Sequence, residues 1–289
     1  MTQRFDTVSF LTDYGTRDEF VGIVKCVIAD IAPHARVIDI THEVPPFDVR
    51  AGSLALARAV SYVPQGVVLA VVDPGVGTNR RAIAVSVAGG TGIFVGPDNG
   101  LLSMGVALAG GADSAVVLDN PEYHLAAPGD TFAGRDIFAP VAAHLCNGVA
   151  LTELGTSIDV DTLLPGIVPL PRQEGDELHA EVTWVDRYGN CQINVSPDDV
   201  ADLGSPIRVT LGARGTGERI VRSMPVVRNF GQIGAGIGLV VDSFGMLALC
   251  KDRGSAASEL DLAPSDLVVL TRDDGAGPST SVSLTTKPR

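Results

Sequence analysis

The sequence predicts an α/β N-terminal domain with a mostly parallel sheet flanked by helices, followed by a smaller all-β, barrel-like C-terminal domain. Three observations carry that expectation. As far as about Ala150, short apolar runs alternate with longer helical stretches, the pattern of strands joined by crossover helices. Several of those runs are apolar throughout, as in strands covered on both faces. Beyond Gly175 the texture changes to short strands separated by glycine-rich turns. With 289 residues the chain is long enough for two cores. The boundaries expected are residues 1–165 for the α/β domain, 166–176 for a linker, 177–272 for the β domain and 273–289 for a disordered tail.

In order, Val8–Leu11 reads as a first strand, Asp18–Ala32 as a helix and Val37–Ile40 as a second strand. Val49–Val63 has small and apolar residues at helical spacing and is ended by Pro64-Gln65-Gly66. Strands follow at Val67–Val72, Ala82–Val87 and Ile93–Val95, then a helix over Gly100–Ala109 and a strand at Ala115–Leu118. Asp136–Asn147 is a further helix, approached by Thr131–Arg135. The proline-rich, then polar stretch Leu163–Gly175 reads as the linker. In the β domain, strands are expected at Glu177–Asp186, Gln192–Val195, Ile207–Leu211, Arg219–Val221, Ile237–Val241, Leu247–Cys250 and Leu267–Leu270. The tail from Asp273 is rich in Ser, Thr, Gly and Pro.

Composition narrows the function classes. A formal net charge of -13 argues against nucleic acid as a partner, because such binders need a basic patch to neutralise phosphates. A cationic or zwitterionic small molecule suits it better. The four cysteines, Cys26, Cys146, Cys191 and Cys250, are too dispersed for a disulfide framework or a zinc spacing. The five histidines show no metal-binding spacing and read as surface or satisfied structural residues. Met1–Asp6 is polar rather than a targeting segment, and no uncharged apolar stretch reaches about 18 residues. A cytoplasmic protein that does not associate with membranes is expected.

The stretch Val71-Val72-Asp73-Pro74-Gly75-Val76-Gly77-Thr78-Asn79-Arg80-Arg81 ends an apolar strand in a carboxylate, two glycines and two arginines. In an open α/β sheet ligands bind outside the carboxyl ends of such strands. Asp-Pro-Gly is also a plain turn signal. Asp13, just past the first strand in Phe10-Leu11-Thr12-Asp13-Tyr14-Gly15, fits either a helix cap or an acceptor for ribose hydroxyls. Gly96-Pro97-Asp98-Asn99-Gly100 has the same form of strand end, turn and helix start. In Asp186-Arg187-Tyr188-Gly189-Asn190 an amide able to read an adenine edge and an acid able to pair with an amine share one turn, which a simple hairpin would also explain. Asp242-Ser243-Phe244-Gly245 is a comparable turn.

Taken together with Ile40-Thr41-His42-Glu43-Val44-Pro45-Pro46-Phe47 and with Thr131-Phe132 before Gly134-Arg135-Asp136, these motifs resemble the S-adenosyl-L-methionine hydroxide adenosyltransferases. Those are relatives of the bacterial fluorinase and chlorinase, and the resemblance runs in order from about Val8 to Leu270. It implies a homotrimer with active sites at subunit interfaces, no cofactor, no metal, and S-adenosyl-L-methionine as substrate. It also implies the reaction: water or hydroxide attacks C5′ of the ribose and expels methionine, giving adenosine. Asp73 and Arg80 match the positions that hold and polarise the water. Asp13 would hold the ribose hydroxyls, Phe47 would pack against the ligand, and Thr131 and Phe132 would line the nucleophile pocket. Asp186 and Ser243 would take the methionine amine and carboxylate, while Tyr188 and Asn190, with backbone near Lys251 and Arg253, would hold adenine.

Two features set the chain apart from the halogenating relatives. They carry a tyrosine where this sequence has Asp73, and the fluorinase has an inserted loop where Ala88-Gly89-Gly90-Thr91-Gly92 passes directly into the next strand. One feature departs from the hydroxide-using members, whose motif reads Thr-Phe-His-Gly-Arg-Asp. Ala133 occupies the position of that histidine. The water-holding pair would then act with compensation from another group, or as a slowed enzyme that still binds its ligand, the alternative being a non-catalytic adenosyl-ligand binding protein.

Overall fold

A computed structural model of the protein describes residues 4–212 and 219–275. The chain divides into two compact units, Met1–Val168 and Pro169–Arg289.

The first unit runs β1 (Thr7–Thr12), α1 (Phe20–Ile31), β2 (Arg36–Thr41), α2 (Val49–Ala59), β3 (Gly66–Val71), β4 (Ala82–Val87), β5 (Gly92–Pro97), α3 (Ser103–Leu108), β6 (Ala112–Val117), α4 (Ala139–Cys146) and β7 (Thr156–Ile158). Its strands form one sheet in the order β2-β1-β3-β5-β4-β6-β7. The three pairings from β2 through β5 are parallel and the three beyond are antiparallel, so β1, β2, β3, β5 and β6 all point the same way. This is the expected α/β class with its mostly parallel sheet.

The continuous apolar strands do cover two faces. Along β3, Val67, Leu69 and Val71 join one core with Val24 and Ile28 of α1 and Val141 and Leu145 of α4. The alternating Val68 and Ala70, with Val72 beyond, join the other core with Leu56 of α2 and Val106 of α3. Period-two side-chain alternation thus feeds both layers from a single strand. Because β1 lies between β2 and β3, the winding direction reverses at the β1–β3 pair. That is the topological switch point, and in open α/β sheets ligands bind at the carboxyl ends of such strands.

Local deviations have local causes. Helix α2 starts where Asp48 caps it, its side chain accepting from Ala51 N at 2.8 Å. It stops at Ala59 rather than running to Val63, because Pro64 disfavours helical backbone at the residue before it and Val60 and Val63 are poor helix formers. The helix expected from Asp136 is entered through a π-type turn, Gly134–Phe138.

The second unit runs β8 (Arg172–Glu174), β9 (Glu177–Val185), β10 (Cys191–Ile193), β11 (Ile207–Gly212), β12 (Arg219–Met224), β13 (Val226–Val227), β14 (Gly238–Val241), β15 (Leu247–Cys250), α5 (Ala256–Leu260) and β16 (Leu267–Arg272). The sheet order is β12-β11-β16-β9-β10-β15-β14-β13, with β8 paired to β9. Its two edge strands, β12 and β13, are separated in the chain by Pro225 alone. For both to be edges, the sheet must curl until they meet, which is the barrel-like form the sequence predicts. Alternate residues point into its core, Leu178, Ala180 and Val182 from β9 and Ile207, Val209 and Leu211 from β11.

Two boundary expectations need correction. Arg172–Glu174, expected within the linker, forms β8 and pairs with β9 from Glu174↔Glu177 to Arg172↔His179, because the Gly175 turn folds the polar stretch back as a hairpin. The tail expected from Asp273 begins later. Asp273 and Asp274 both pair with Arg208, and the remainder of that segment, from residue 276, lies outside the described residues.

Candidate active site

The switch point brings together two of the carboxylates the sequence singled out. Asp13 follows β1 and Asp73 follows β3, on adjacent parallel strands. After Asp73 the chain makes two tight turns, with Val76 N bonded to Asp73 O at 3.2 Å and Thr78 N to Gly75 O at 3.2 Å. Gly77 is needed there: its φ is +74°, and a Cβ would lie 3.1 Å from Asp130 O. The result is that Arg80 faces back to Asp73. Its Nε donates to Oδ1 at 2.9 Å and its Nη2 to Oδ2, a bidentate pair. Only 11% of the Arg80 side chain and 6% of the Asp73 side chain are exposed.

Neighbouring arginines take different partners. Arg81 donates from Nε to Asp98 Oδ2 at 2.8 Å, and Asp98 Oδ1 also accepts from Leu164 N at 2.9 Å, so Asp98 is structural. Asn99 braces the site from beneath, its Nδ2 donating to Val72 O at 2.9 Å and its Oδ1 accepting from Leu101 N at 3.1 Å. The Arg80 guanidinium also stacks over the Phe138 ring, 5.4 Å from its centroid.

Asp13 is half-buried and its Oδ2 accepts from Phe47 N at 2.9 Å. Burial is the main cause that raises its pKa above the ordinary carboxylate value, with the nearby negative charge of Asp73 adding to it and the Phe47 hydrogen bond opposing. Phe47 adopts φ 68°, a backbone conformation rare outside glycine, and its ring is 74% exposed. Tyr14 packs edge-on to Phe132 at 5.8 Å, and Phe132 edge-on to Phe20 at 5.1 Å. Arg135 caps the far side of Phe132, 5.2 Å from its centroid. Burial raises the Tyr14 pKa, so its hydroxyl is neutral. Thr131 is exposed, whereas Ala133 is buried.

Beside Arg80 lies a cavity of about 360 Å³, bounded also by Thr78, His124, Asp130, Ala133 and Asp136. His124 departs from the expectation of a satisfied histidine. Its Nε2 is buried with no hydrogen-bond partner, and burial lowers its pKa, which keeps it neutral.

The second unit has a separate cavity of about 330 Å³ that brings together Asp186, Asn190 and Ser243. Asp186 organises its own turn, Oδ1 accepting from Tyr188 N at 2.8 Å and Asn190 N at 2.9 Å, and Oδ2 from Asn190 Nδ2 at 2.8 Å. Asp242 does the same one turn away, Oδ1 accepting from Phe244 N and Met246 N and Oδ2 from Gln192 Nε2 at 2.6 Å. Tyr188, Lys251 and Arg253 are not among the residues that line this cavity. Tyr188 is 76% exposed, Lys251 is paired with Glu259, and Arg253 sits at φ 51° beside it. Sequence reasoning assigned no role to Trp184 and Asp242, which belong to its candidate turns, and missed Gln192, Arg228 and Phe230, all of which line the same space. They come from four separate segments, and the local signals were Asp242 within its own turn motif and Trp184 two residues before Asp186 on the same strand. Among the described residues no cluster of His, Cys, Asp or Glu is arranged to hold a metal ion.

An open α/β sheet bearing a buried carboxylate–guanidinium pair at its switch point, followed by a barrel-like unit with a polar, aromatic-lined cavity, defines an architecture suited to a small-molecule ligand. Sequence comparison makes that class specific. The SAM hydroxide adenosyltransferase N-terminal domain matches residues 8–155 and the corresponding C-terminal domain matches residues 180–269. The chain belongs to the SAM hydroxide adenosyltransferase family. It is 46% identical over 267 residues to an (R)-S-adenosyl-L-methionine hydrolase of Salinispora tropica, covering 91% of this chain and 97% of that protein. A Thermus thermophilus protein of the same name is 40% identical over 264 residues, covering 88% and 95%. A fluorinase of Actinoplanes sp. is 27% identical over 291 residues, covering 92% and 97%. Among solved structures, an uncharacterized conserved protein from Thermotoga maritima superposes with a TM-score of 0.81 at 36% identity, covering 92% of this chain and all of that one.

Proposed function

We propose that this protein is an enzyme that hydrolyses S-adenosyl-L-methionine to adenosine and L-methionine, water attacking ribose C5′ with methionine as leaving group. The observation that carries this reading is the buried, bidentate Asp73–Arg80 pair at the sheet's switch point. Desolvating two charges costs about as much as their attraction returns, so such a pair is a poor device for stability alone.

The chemistry asks little of the protein beyond holding a nucleophile. The sulfonium leaves as a neutral thioether and needs no general acid. Attack then depends on a water held in line and stripped of competing solvent. Each Asp73 oxygen uses one lone pair on Arg80 and keeps another, which can accept a hydrogen bond or proton from water. Arg80 stabilises developing hydroxide character beside it. The pair also explains selection of water over halide. With Arg80 bound, the site is near neutral, so exclusion of a halide rests less on repulsion than on hydrogen bonding, since water can donate to the carboxylate and halide cannot.

Asp13 is assigned to the ribose hydroxyls and Phe47 to the ligand's apolar surface, with Thr131 and Phe132 at the nucleophile pocket. Asp186 and Ser243 are assigned to the methionine moiety, and Tyr188 and Asn190, near Lys251 and Arg253, to adenine. Phe230, which shares a cavity with Asn190, adds a ring able to stack on a base. The names of the relatives favour the (R) sulfonium as the preferred isomer. The reading includes a homotrimer with active sites completed at subunit interfaces, supported by the exposure of Phe47 and Tyr188 in the single chain. Among the described residues no helix is long and apolar enough to cross a membrane, and a cytoplasmic location belongs to the same proposal. Incubation with S-adenosyl-L-methionine, followed by chromatography, is expected to yield adenosine and methionine without added metal and unchanged by a chelator. A 5′-halo-adenosine in high halide would support the halogenase reading instead. Tight binding without turnover would support the binding-protein reading.

A further inference from the structure

The segment from Ile40 to Phe47 contributes Phe47 to the proposed function and leaves His42 without a role. His42 is 5% exposed and follows β2, beside the turn that carries Asp13. Its Nε2 lies 3.0 Å from Asp39 Oδ1 and its Nδ1 lies 2.9 Å from Thr12 Oγ1. Asp39 in turn accepts from Lys25 Nζ at 2.6 Å. An ionised carboxylate only accepts, so Nε2 must carry the proton and donate to Asp39. In the neutral ring Nδ1 is then the acceptor, and the fully buried Thr12 hydroxyl donates to it. Oriented that way, the Thr12 oxygen presents its lone pairs to the Tyr14 N–H, which donates to it at 3.1 Å.

The two residues that bracket Asp13 are therefore fixed by one chain of hydrogen bonds running Lys25, Asp39, His42, Thr12, Tyr14. Two further links tie the same loops together. Gly15 N donates to His42 O at 2.7 Å, and Phe47 N donates to Asp13 itself. The Phe10 ring holds the imidazole plane edge-on, with centroids 4.7 Å apart.

We infer that His42 is a positioning residue for substrate binding, setting through Thr12 the turn that presents the Asp13 carboxylate to a ribose diol. This rests on the assignment of Asp13 to the ribose hydroxyls. His42 touches no substrate atom in this account. It acts by holding an acceptor opposite the Thr12 hydroxyl.

The test uses the full-length protein, with calorimetric binding of adenosine and of 2′,3′-dideoxyadenosine, steady-state kcat and KM, and thermal melting. Wild type is expected to prefer adenosine. His42→Phe keeps a flat ring but removes both nitrogens, and is expected to weaken adenosine binding and raise KM by about five- to tenfold, the worth of one hydrogen bond. Dideoxyadenosine binding and kcat should stay within about twofold. His42→Asn, which restores an acceptor near Nδ1, should return the preference for adenosine. Should His42→Phe fail to fold, the near-isosteric Thr12→Val carries the same prediction. The inference is overturned if His42→Phe keeps the full preference for adenosine, even with a lowered melting point, or if both ligands weaken equally. A wild type that does not distinguish the two nucleosides would instead remove the Asp13 assignment beneath it.

Discussion

Asp73 is held by Arg80 in a contact that little water reaches, and the two residues have separable effects on rate and stability. Asp73→Asn is expected to lower kcat by about 10²- to 10⁴-fold with KM changed only a few-fold, measured by adenosine release. It should also lower the melting point, because Arg80 is left a buried charge without its counter-ion. Asp13 carries a pH signature. Its pKa is raised chiefly by burial, so ribose affinity should fall as pH drops through a value above the ordinary 3.8 of an aspartate, the protonated form losing acceptor capacity. Asp13→Asn should flatten that decline in a binding titration. Ala133 adjoins a cavity of about 360 Å³ beside Arg80, and Ala133→His is expected to raise kcat. An unchanged kcat would mean that a group already present, with His124 facing the same space, makes the added imidazole redundant. Asp13, Asp73 and Arg80 were legible in sequence because each lies within a few positions of a strand end, and Ala133 through the family motif around it. His124 was not, since its unpartnered nitrogen arises only where segments distant in sequence pack together.

At the level of elements, what the sequence revealed depended on length and period. The strand Gly66–Val71 and the turn after it were readable because a continuous apolar run ends in Asp, Pro and Gly. The strands Thr156–Ile158, Arg172–Glu174 and Val226–Val227 were not, because two or three residues cannot display a period and their pairing is set by neighbours. Helix α5 is about one turn long, started by Ser255, whose Oγ accepts from Ser258 N at 3.0 Å, and although Ala256 and Leu260 enter the core it is too short to display a helical period. The cavity of the second unit was half legible. Asp186 and Asn190 share a turn and Trp184 lies two residues before it on β9, whereas Phe230 and Asp242 come from segments distant in sequence. The π-type turn at Gly134 makes a direct prediction. A Cβ there would lie 2.2 Å from Tyr14 Oη, so Gly134→Ala should displace the Tyr14 ring from Phe132. Overpacking of this kind costs about 1–3 kcal/mol, readable as a lower urea midpoint together with a reduced kcat/KM.

On the scale of the whole molecule, two units with separate cores each supply residues to one proposed reaction. All four cysteines are free, and burial is the main cause that pushes the thiols of Cys146, Cys191 and Cys250 up to about 12. Alkylation of the native protein at neutral pH should therefore modify Cys26 alone, with the other three reacting only after denaturation, as peptide mass mapping would record. The fold class was legible because strand periodicity and turn density differ so sharply between the two halves, while the roles proposed for the residues of each half rest on the family motifs. The acidic chain suits a cationic sulfonium, and light scattering should give a particle three times the 29.9 kDa chain mass if sites are completed by neighbouring subunits. The most direct measurement of the central claim is turnover of S-adenosyl-L-methionine, as a mixture of both sulfonium isomers, in ¹⁸O-labelled water. One labelled oxygen should appear in the 5′-hydroxyl of adenosine, with equimolar methionine, consumption of the (R) isomer first, and near-complete loss of the label's appearance in Asp73→Asn. Unlabelled adenosine, or methylthioadenosine in its place, would contradict attack of water at C5′.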